Sequence, residues 1–268
     1  VEAIRLIDMR QHHGEHPRLG AVDVCPFIPI QGIDMDACAA LATDVAKRVA
    51  EETGAPTFLY GASASHPERR KLSNLRKGEY EGLEARMSDG AATPHQETRR
   101  PDFGPQSWDE TAAKSGGNTY GARPVLIAYN VNVPEPDARV AKMIGTIIRG
   151  SGRIVARHGD GKLRVPGMLD SVQGMGVMLE QHKISQVSMN LTNAESCGLL
   201  HAFETVRSLA ADHGLNVTGS ELVGLVPLES MLEAGRWYAP EAQSDAERVE
   251  AAIAGLGLDA LAPLRPKI

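Results

Sequence analysis

Val125-Leu126-Ile127-Ala128-Tyr129-Asn130-Val131-Asn132-Val133 is nine residues of mostly aliphatic side chains and reads as a buried strand. The segments after it set the order of the second half of the chain. Residues 136–149 carry an amphipathic helical pattern, and 172–179 and 186–191 read as strands with a turn between them. Residues 194–213 form a helix that stops at Gly214, and 217–226 form another strand. Helices over 228–234 and 245–256 close the chain. The succession β-α-β-β-α-β is the split βαβ signature of ferredoxin-like α+β folds. Asn130, Asn132, Gln186, Ser188 and Asn190 alternate with apolar residues, so they fall on one face of the sheet.

Working back toward the start, Asp34 is placed as the N-cap of a helix over 34–53. Its apolar face is Ala39, Leu41, Ala42, Val45, Ala46 and Val49, and it ends at Gly54. Residues 55–61 read as a strand, and Arg69-Arg70-Lys71 leads into a helix around 72–77. Residues 85–117 are polar and rich in Pro and Gly, which reads as a functional loop or a linker. The first half thus resembles the tail of a unit like the second. The division is expected in the 104–121 loop, giving lobes 1–118 and 119–268.

The 268 residues suffice for one large domain or two small ones. Aromatics are only 4%, so aliphatic residues must fill the core. No apolar run approaches the roughly 20 residues that span a bilayer, and the opening does not read as a signal peptide. Cys25, Cys38 and Cys197 are odd in number and widely spaced, which suits reduced thiols in a cytoplasmic protein. A net charge of −6 argues against nucleic acid as a partner. An anionic ligand would need positive charge concentrated locally against that global sign.

The chemistry is densest in His12-His13-Gly14-Glu15-His16-Pro17-Arg18, ahead of the apolar run Val22-Asp23-Val24-Cys25-Pro26-Phe27-Ile28. Three readings compete. His12 and His16 have the i,i+4 spacing of a metal site, but Pro17 and the glycines oppose a helix there. A solvated polar loop is the plain reading. A general acid–base is the third, because the cluster abuts a core strand and imidazole titrates near neutrality.

These residues, with Leu6-Ile7-Asp8-Met9 and Asp23-Val24-Cys25-Pro26-Phe27-Ile28-Pro29, resemble the formiminotransferase domain, the folate-dependent glutamate formimidoyltransferases. The likeness continues through Arg76-Lys77-Gly78-Glu79-Tyr80-Glu81, Pro101-Asp102-Phe103-Gly104-Pro105, Gly121-Ala122-Arg123, Gln186-Val187-Ser188-Met189-Asn190-Leu191-Thr192 and Gly219-Ser220-Glu221-Leu222-Val223-Gly224-Leu225-Val226-Pro227. It implies two ferredoxin-like lobes with facing sheets, outer helices and a ligand tunnel between them. It also implies a homodimer in histidine degradation, with tetrahydrofolate as co-substrate and no metal. The family carries a further segment ahead of the point where Val1 stands. A first lobe without it is expected either to leave a strand edge open near Val24–Pro29 and the His16 loop or to have a neighbouring chain cover it, with His16 more exposed.

The resemblance makes His16 the proton shuttle; His12 and His13, earlier on the loop, are left supporting or solvent roles. Transfer of a formimino group favours a carboxylate beside the amidine, and Glu15 and Asp23 are the candidates. Their plainer readings are a surface partner for Arg18 and a strand cap. Gly104, Pro105, Gln106, Ser107, Trp108, Gly116 and Gly117 resemble the folate loop, where glycines permit close backbone approach and Trp108 offers a ring for stacking. An ordinary interlobe linker is the alternative. Arg123, Arg69, Arg70, Lys71, Arg99 and Arg100 are candidates for a positive funnel. Asn130, Gln186 and Asn190 suit the donors and acceptors of a pterin. Two other activities stay open: formyl transfer between glutamate and tetrahydrofolate, and an inactive folate-binding protein of the same fold.

Overall fold

The computed structural model describes residues 1–13, 17–88, 100–262 and 264. The chain separates into two compact units, Val1–Pro124 and Val125–Ile268.

The first unit is organised on a three-stranded parallel sheet, with β1 (Val24–Phe27) and β2 (Thr57–Gly61) outside and β3 (Asn118–Ala122) between them. β1 and β2 are joined by α2 (Met35–Thr53), a crossover of the kind that makes strands parallel. The Asp34 carboxylate accepts from the Ala37 amide at 2.8 Å, and Gly54, in the left-handed region, ends the helix. Cys38, Ala42, Ala46 and Ala50 form the buried stripe of α2. Ala46 packs with Leu59 and Tyr120 on one face of the sheet. Phe58 and Tyr60 point to the other face. There they meet Leu19, Leu75 of α3 (Leu72–Leu75) and Leu83 and Met87 of α4 (Leu83–Ser88). The unit also holds α1 (Glu2–Leu6) and α5 (Glu110–Ser115), the latter capped by Asp109. β1 is an edge strand among the described residues, with Val24, Cys25 and Phe27 half-buried and Pro26 exposed.

Three details depart from the sequence reading. A division at 118/119 would give β3 to the second lobe, yet β3 is the central strand of the first sheet and wholly buried. Its partners lie far back in the chain, so local pattern cannot reveal the pairing. The described strands of this unit are all parallel, whereas a ferredoxin-like sheet alternates. Residues 85–117 are not uniformly irregular either, since α4 ends and α5 lies within them.

The second unit keeps the expected succession. β4 (Ile127–Val133), α6 (Arg139–Ile148), β7 (Val172–Leu179), β8 (Ile184–Leu191), α7 (Leu199–Ala211) and β9 (Gly219–Val223) build an antiparallel sheet in the order β7-β8-β4-β9. β8 is inserted between β4 and β7, the split βαβ arrangement. α8 (Leu228–Tyr238) and α9 (Asp245–Leu256) come next, α9 starting from a Ser244/Glu247 capping box. Ile127, Tyr129, Val131 and Val133 project into the helix-covered core with Val187, Met189 and Leu191. An exposed hairpin, β5 (Arg153–His158) and β6 (Gly161–Val165), interrupts the series between α6 and β7.

Candidate functional site

His16, Glu15 and Gly14 lie outside the described residues, as does Arg99. The structure shows what holds the two flanks of that segment. Arg18 is the principal clamp. Its guanidinium donates to Nδ1 of His12 at 3.2 Å and to the His12 carbonyl at 2.9 Å. It also pairs with Glu81 at 2.7 Å and reaches Glu79 at 3.5 Å. The Arg18 carbonyl accepts from the Tyr80 amide at 3.0 Å. Glu81 holds the Arg18 pKa above its ordinary value, and Arg18 holds that of Glu81 below the usual carboxylate range. His12 and His13 are exposed.

Asp23 secures the far side. Its carboxylate accepts from the Leu19 amide at 2.9 Å and pairs with Arg76. Its carbonyl accepts from both the amide and the hydroxyl of Thr119. The Asp23 carboxylate is therefore engaged within the protein itself. The segment Arg76–Glu81 thus supplies the counter-charges for Arg18 and Asp23, both on the trailing flank of the histidine loop. None of Arg76, Glu79 and Glu81 stood among the expected site residues. Their signal was a basic–acidic run complementary in sign to Asp23 and Arg18.

The expected folate loop has a second explanation in packing. Gly116 and Gly117 are buried against Leu19 and Gly20. A Cβ on Gly116 would collide with the Leu19 carbonyl oxygen, and one on Gly117 would sit 2.7 Å from the Phe58 ring. Gly104 takes φ +89°, where a Cβ would stand 2.6 Å from the Ala55 carbonyl oxygen. Trp108 is half-buried beside Tyr80, ring centroids 6.1 Å apart and tilted by 50°. Pro105 is half-buried, and Gln106 and Ser107 are exposed. Gln106 donates to the carbonyls of Pro101 and Gly104 at 3.2 and 3.3 Å.

The expected positive funnel loses a member. Arg69 is buried, paired at 2.5 Å with Asp102, whose carboxylate also accepts from the Leu59 amide at 2.7 Å. Burial depresses the Arg69 pKa, and Asp102 opposes that. This pair straps the outer edge of β2 and is structural. Arg70 and Lys71 are exposed, and Arg100 and Arg123 are half-buried.

In the second unit, Asn130, Gln186 and Asn190 come onto the sheet face opposite the helices, as the alternation required. Asn130 pairs with Ser188, Asn132 with Gln186 and Ala128 with Asn190. Two further polar groups join them. Glu221 lies opposite Asn130 on β9, and its carboxylate accepts from Gln186 Nε2 at 2.5 Å. Gln186 Nε2 also donates to Asn132 Oδ1 at 2.7 Å. Glu221 was missed because its same-face neighbours on the short β9, Gly219 and Val223, are not polar and do not mark the face.

Comparison with known proteins agrees with these features. The formiminotransferase domain, N-terminal subdomain, matches residues 1–123, and the formiminotransferase domain matches residues 128–268. The formimidoyltransferase-cyclodeaminase of Rattus norvegicus is 41% identical over 269 residues, 99% of this chain and 46% of the relative. The glutamate formimidoyltransferase of Streptococcus pyogenes serotype M1 is 40% identical over 232 residues, 87% of this chain and 70% of the relative. That of Thermoplasma acidophilum is 37% identical over 238 residues, 88% of this chain and 70% of the relative. The chain spans about half the length of the formimidoyltransferase-cyclodeaminases it matches. Matched by both subdomains in order and by relatives along nearly its whole length, the chain belongs to the formiminotransferase domain family.

Proposed function

We propose that this chain transfers the formimino group of N-formimino-L-glutamate to N5 of tetrahydrofolate and releases glutamate. The structural observation that supports the reading is the double brace on the histidine loop. Arg18, paired with Glu81, ties His12 on the leading flank to the trailing flank, and Asp23 with Arg76 secures the trailing flank further on. A braced loop suits a group that must be positioned for proton transfer.

In this reaction N5 attacks the amidine carbon, N5 loses a proton, and the departing glutamate nitrogen gains one. One imidazole performs both transfers in sequence, and in this reading it belongs to His16. Polar residues on the second unit's sheet face opposite its helices, Asn130, Gln186, Asn190 and Glu221, supply donors and acceptors matching a pterin. In the first unit, Trp108 offers a ring for stacking. The proposal includes a homodimer in histidine degradation and a cytoplasmic setting. All three cysteines are unbridged, which suits a reducing compartment. Among the described residues no helix is long and apolar enough to cross a membrane.

The test is glutamate release from formiminoglutamate, dependent on tetrahydrofolate. His16→Ala is expected to lower turnover by about 10²–10⁴-fold while folate affinity changes only a few-fold, since a proton shuttle acts in the transition state. Near-normal turnover in His16→Ala, with loss in His13→Ala, would move the role to the neighbour. Release from N-formylglutamate alone would make the chain a formyl transferase. No release from either would leave a folate-binding protein.

A further inference from the structure

Tyr60 stands near the end of β2, only 3% exposed, and its hydroxyl is buried with no hydrogen-bond partner. Buried hydroxyls almost always find one, so an orphan at a functional edge calls for an explanation. The sheet register sets Tyr60 opposite Gly121 on β3. A Cβ on Gly121 would lie 2.8 Å from Cδ1 of the Tyr60 ring, so the glycine makes room for the ring. Arg123 comes two residues later, hence on the same face as Gly121 and Tyr60. Its backbone amide donates to the Phe27 carbonyl at 3.1 Å, fixing it at the carboxyl ends of the strands. Its guanidinium donates to the Pro124 carbonyl at 3.0 Å and pairs with no carboxylate among the described residues.

Arg76 is the second cation at this corner. Its Nη2 holds Asp23, while its Nε is buried with no partner. Arg123 approaches the Tyr60 hydroxyl without completing a hydrogen bond of normal geometry, and Arg76 acts on it electrostatically. Burial raises the phenol pKa, and the two arginines offset only part of that. The hydroxyl therefore keeps its proton at neutral pH and can donate it. The unfilled capacity here is all of one kind: a phenolic O–H, a guanidinium N–H and an Arg123 fork with spare donors. An anion is the complement, and a planar carboxylate is the anion that a guanidinium fork matches. The corner also lies at the carboxyl ends of parallel strands, where open α/β sheets receive ligands.

We infer that Tyr60, Arg123 and Arg76 form a carboxylate-binding corner that holds a glutamyl carboxylate of the reactants. Tyr60 and Arg123 meet the ligand directly, and Arg76 adds charge from its tether on Asp23. The assignment of that carboxylate to a glutamyl group rests on the proposed transfer reaction. Both reactants carry the same chemistry, the formimino donor in its own carboxylates and tetrahydrofolate in its glutamate tail.

The test needs no turnover. L-glutamate and glutarate are titrated into the full chain, its Tyr60→Phe variant and its Arg123→Gln variant, with glutaramide as the uncharged control. The wild type is expected to bind both acids and not the diamide, and each variant to weaken binding by about tenfold or more, the worth of a hydrogen bond to a charged group. The ligand-free Tm of Tyr60→Phe should equal or exceed that of the wild type, because the lost hydroxyl had no partner. Three results would each overturn the inference. They are no acid binding to the wild type up to about 10 mM, well above the ordinary KM range; equal binding to all three proteins; or a lower ligand-free Tm in Tyr60→Phe. Dissociation constants for formiminoglutamate, tetrahydrofolate and its des-glutamyl analogue then separate the sources. A loss confined to formiminoglutamate assigns the donor carboxylate. A loss for tetrahydrofolate but not its des-glutamyl analogue assigns the tail. If transfer is absent while acid binding and its loss in the variants persist, the corner stands and the reaction falls. If transfer and acid binding are unchanged in both variants, the reaction stands and the corner falls.

Discussion

Asp23 does three things that pull in one direction. It occupies the left-handed region at φ +54°, its carboxylate accepts from the Leu19 amide, and the same carboxylate holds Arg76. Asp and Asn tolerate that backbone region better than other side chains with a Cβ. Asp23→Asn keeps an oxygen for Leu19 and the backbone preference but loses the charge that Arg76 needs, and should cost about 1 kcal/mol. Asp23→Ala also orphans the Leu19 amide and strains the backbone, and should cost about 2–4 kcal/mol. Urea unfolding of the two variants checks this order, and equal losses would show that the charge pair alone matters. In the sequence Asp23 carried two meanings, a substrate carboxylate or a strand cap. Arg76, 53 residues further on, decides how its carboxylate is used, and no local pattern joins the two.

At the scale of elements, the turn from α5 into β3 is shaped by its contact with Leu19 and Gly20. Gly116 takes φ +62° and ψ −165°, a region essentially reserved for glycine, and it lies against the Leu19 carbonyl. Gly116→Ala combines backbone strain with a backbone collision and should cost about 3 kcal/mol or more. Gly32 is a useful contrast. It has φ +71° but nothing within 4 Å of an added Cβ, so Gly32→Ala should cost only about 1–2 kcal/mol. Thermal unfolding of the pair measures the difference. Similar small losses would mean that packing does not require glycine at 116, leaving ligand approach as the reason for it. The glycine pair was visible in the sequence as a place of close approach. That the approaching group is the chain's own backbone was not, because Leu19 and Gly20 lie almost a hundred residues earlier.

For the molecule as a whole, the five tyrosines share one behaviour: burial raises the pKa of each. Tyr120 is pushed to about 12, and Tyr129, whose hydroxyl donates to Ser220 at 2.9 Å, is raised further. Unfolded tyrosine ionises near pH 10, so below that pH both states are protonated and stability is at its full value. Between pH 10 and about 12 the unfolded chain loses protons that the folded one retains at Tyr120, and stability falls as pH rises. Tyrosinate absorbance is therefore expected to lag behind that of free tyrosine and to rise with the loss of circular dichroism. Tyr120→Phe should flatten the decline. Complete ionisation near pH 10 with secondary structure intact would contradict this.

Whatever is written within a few neighbouring residues was legible in the sequence. The Asp34 cap and Gly54 stop of α2, the bounds of α9, the β-α-β-β-α-β order of the second unit and the polar face carrying Asn130, Gln186 and Asn190 all rest on period and capping. Only tertiary structure decided that β3 belongs between β1 and β2, that Arg18 is held by Glu81 and Asp23 by Arg76, and that Arg69 is a buried strap on β2. It alone left the Tyr60 hydroxyl without a partner beside Arg123. The reason is physical. Helical period and caps act over three or four residues. Strand pairing and ion pairs across 30 to about 100 residues form only once packing has closed the intervening chain, and closure depends weakly on its length or local composition.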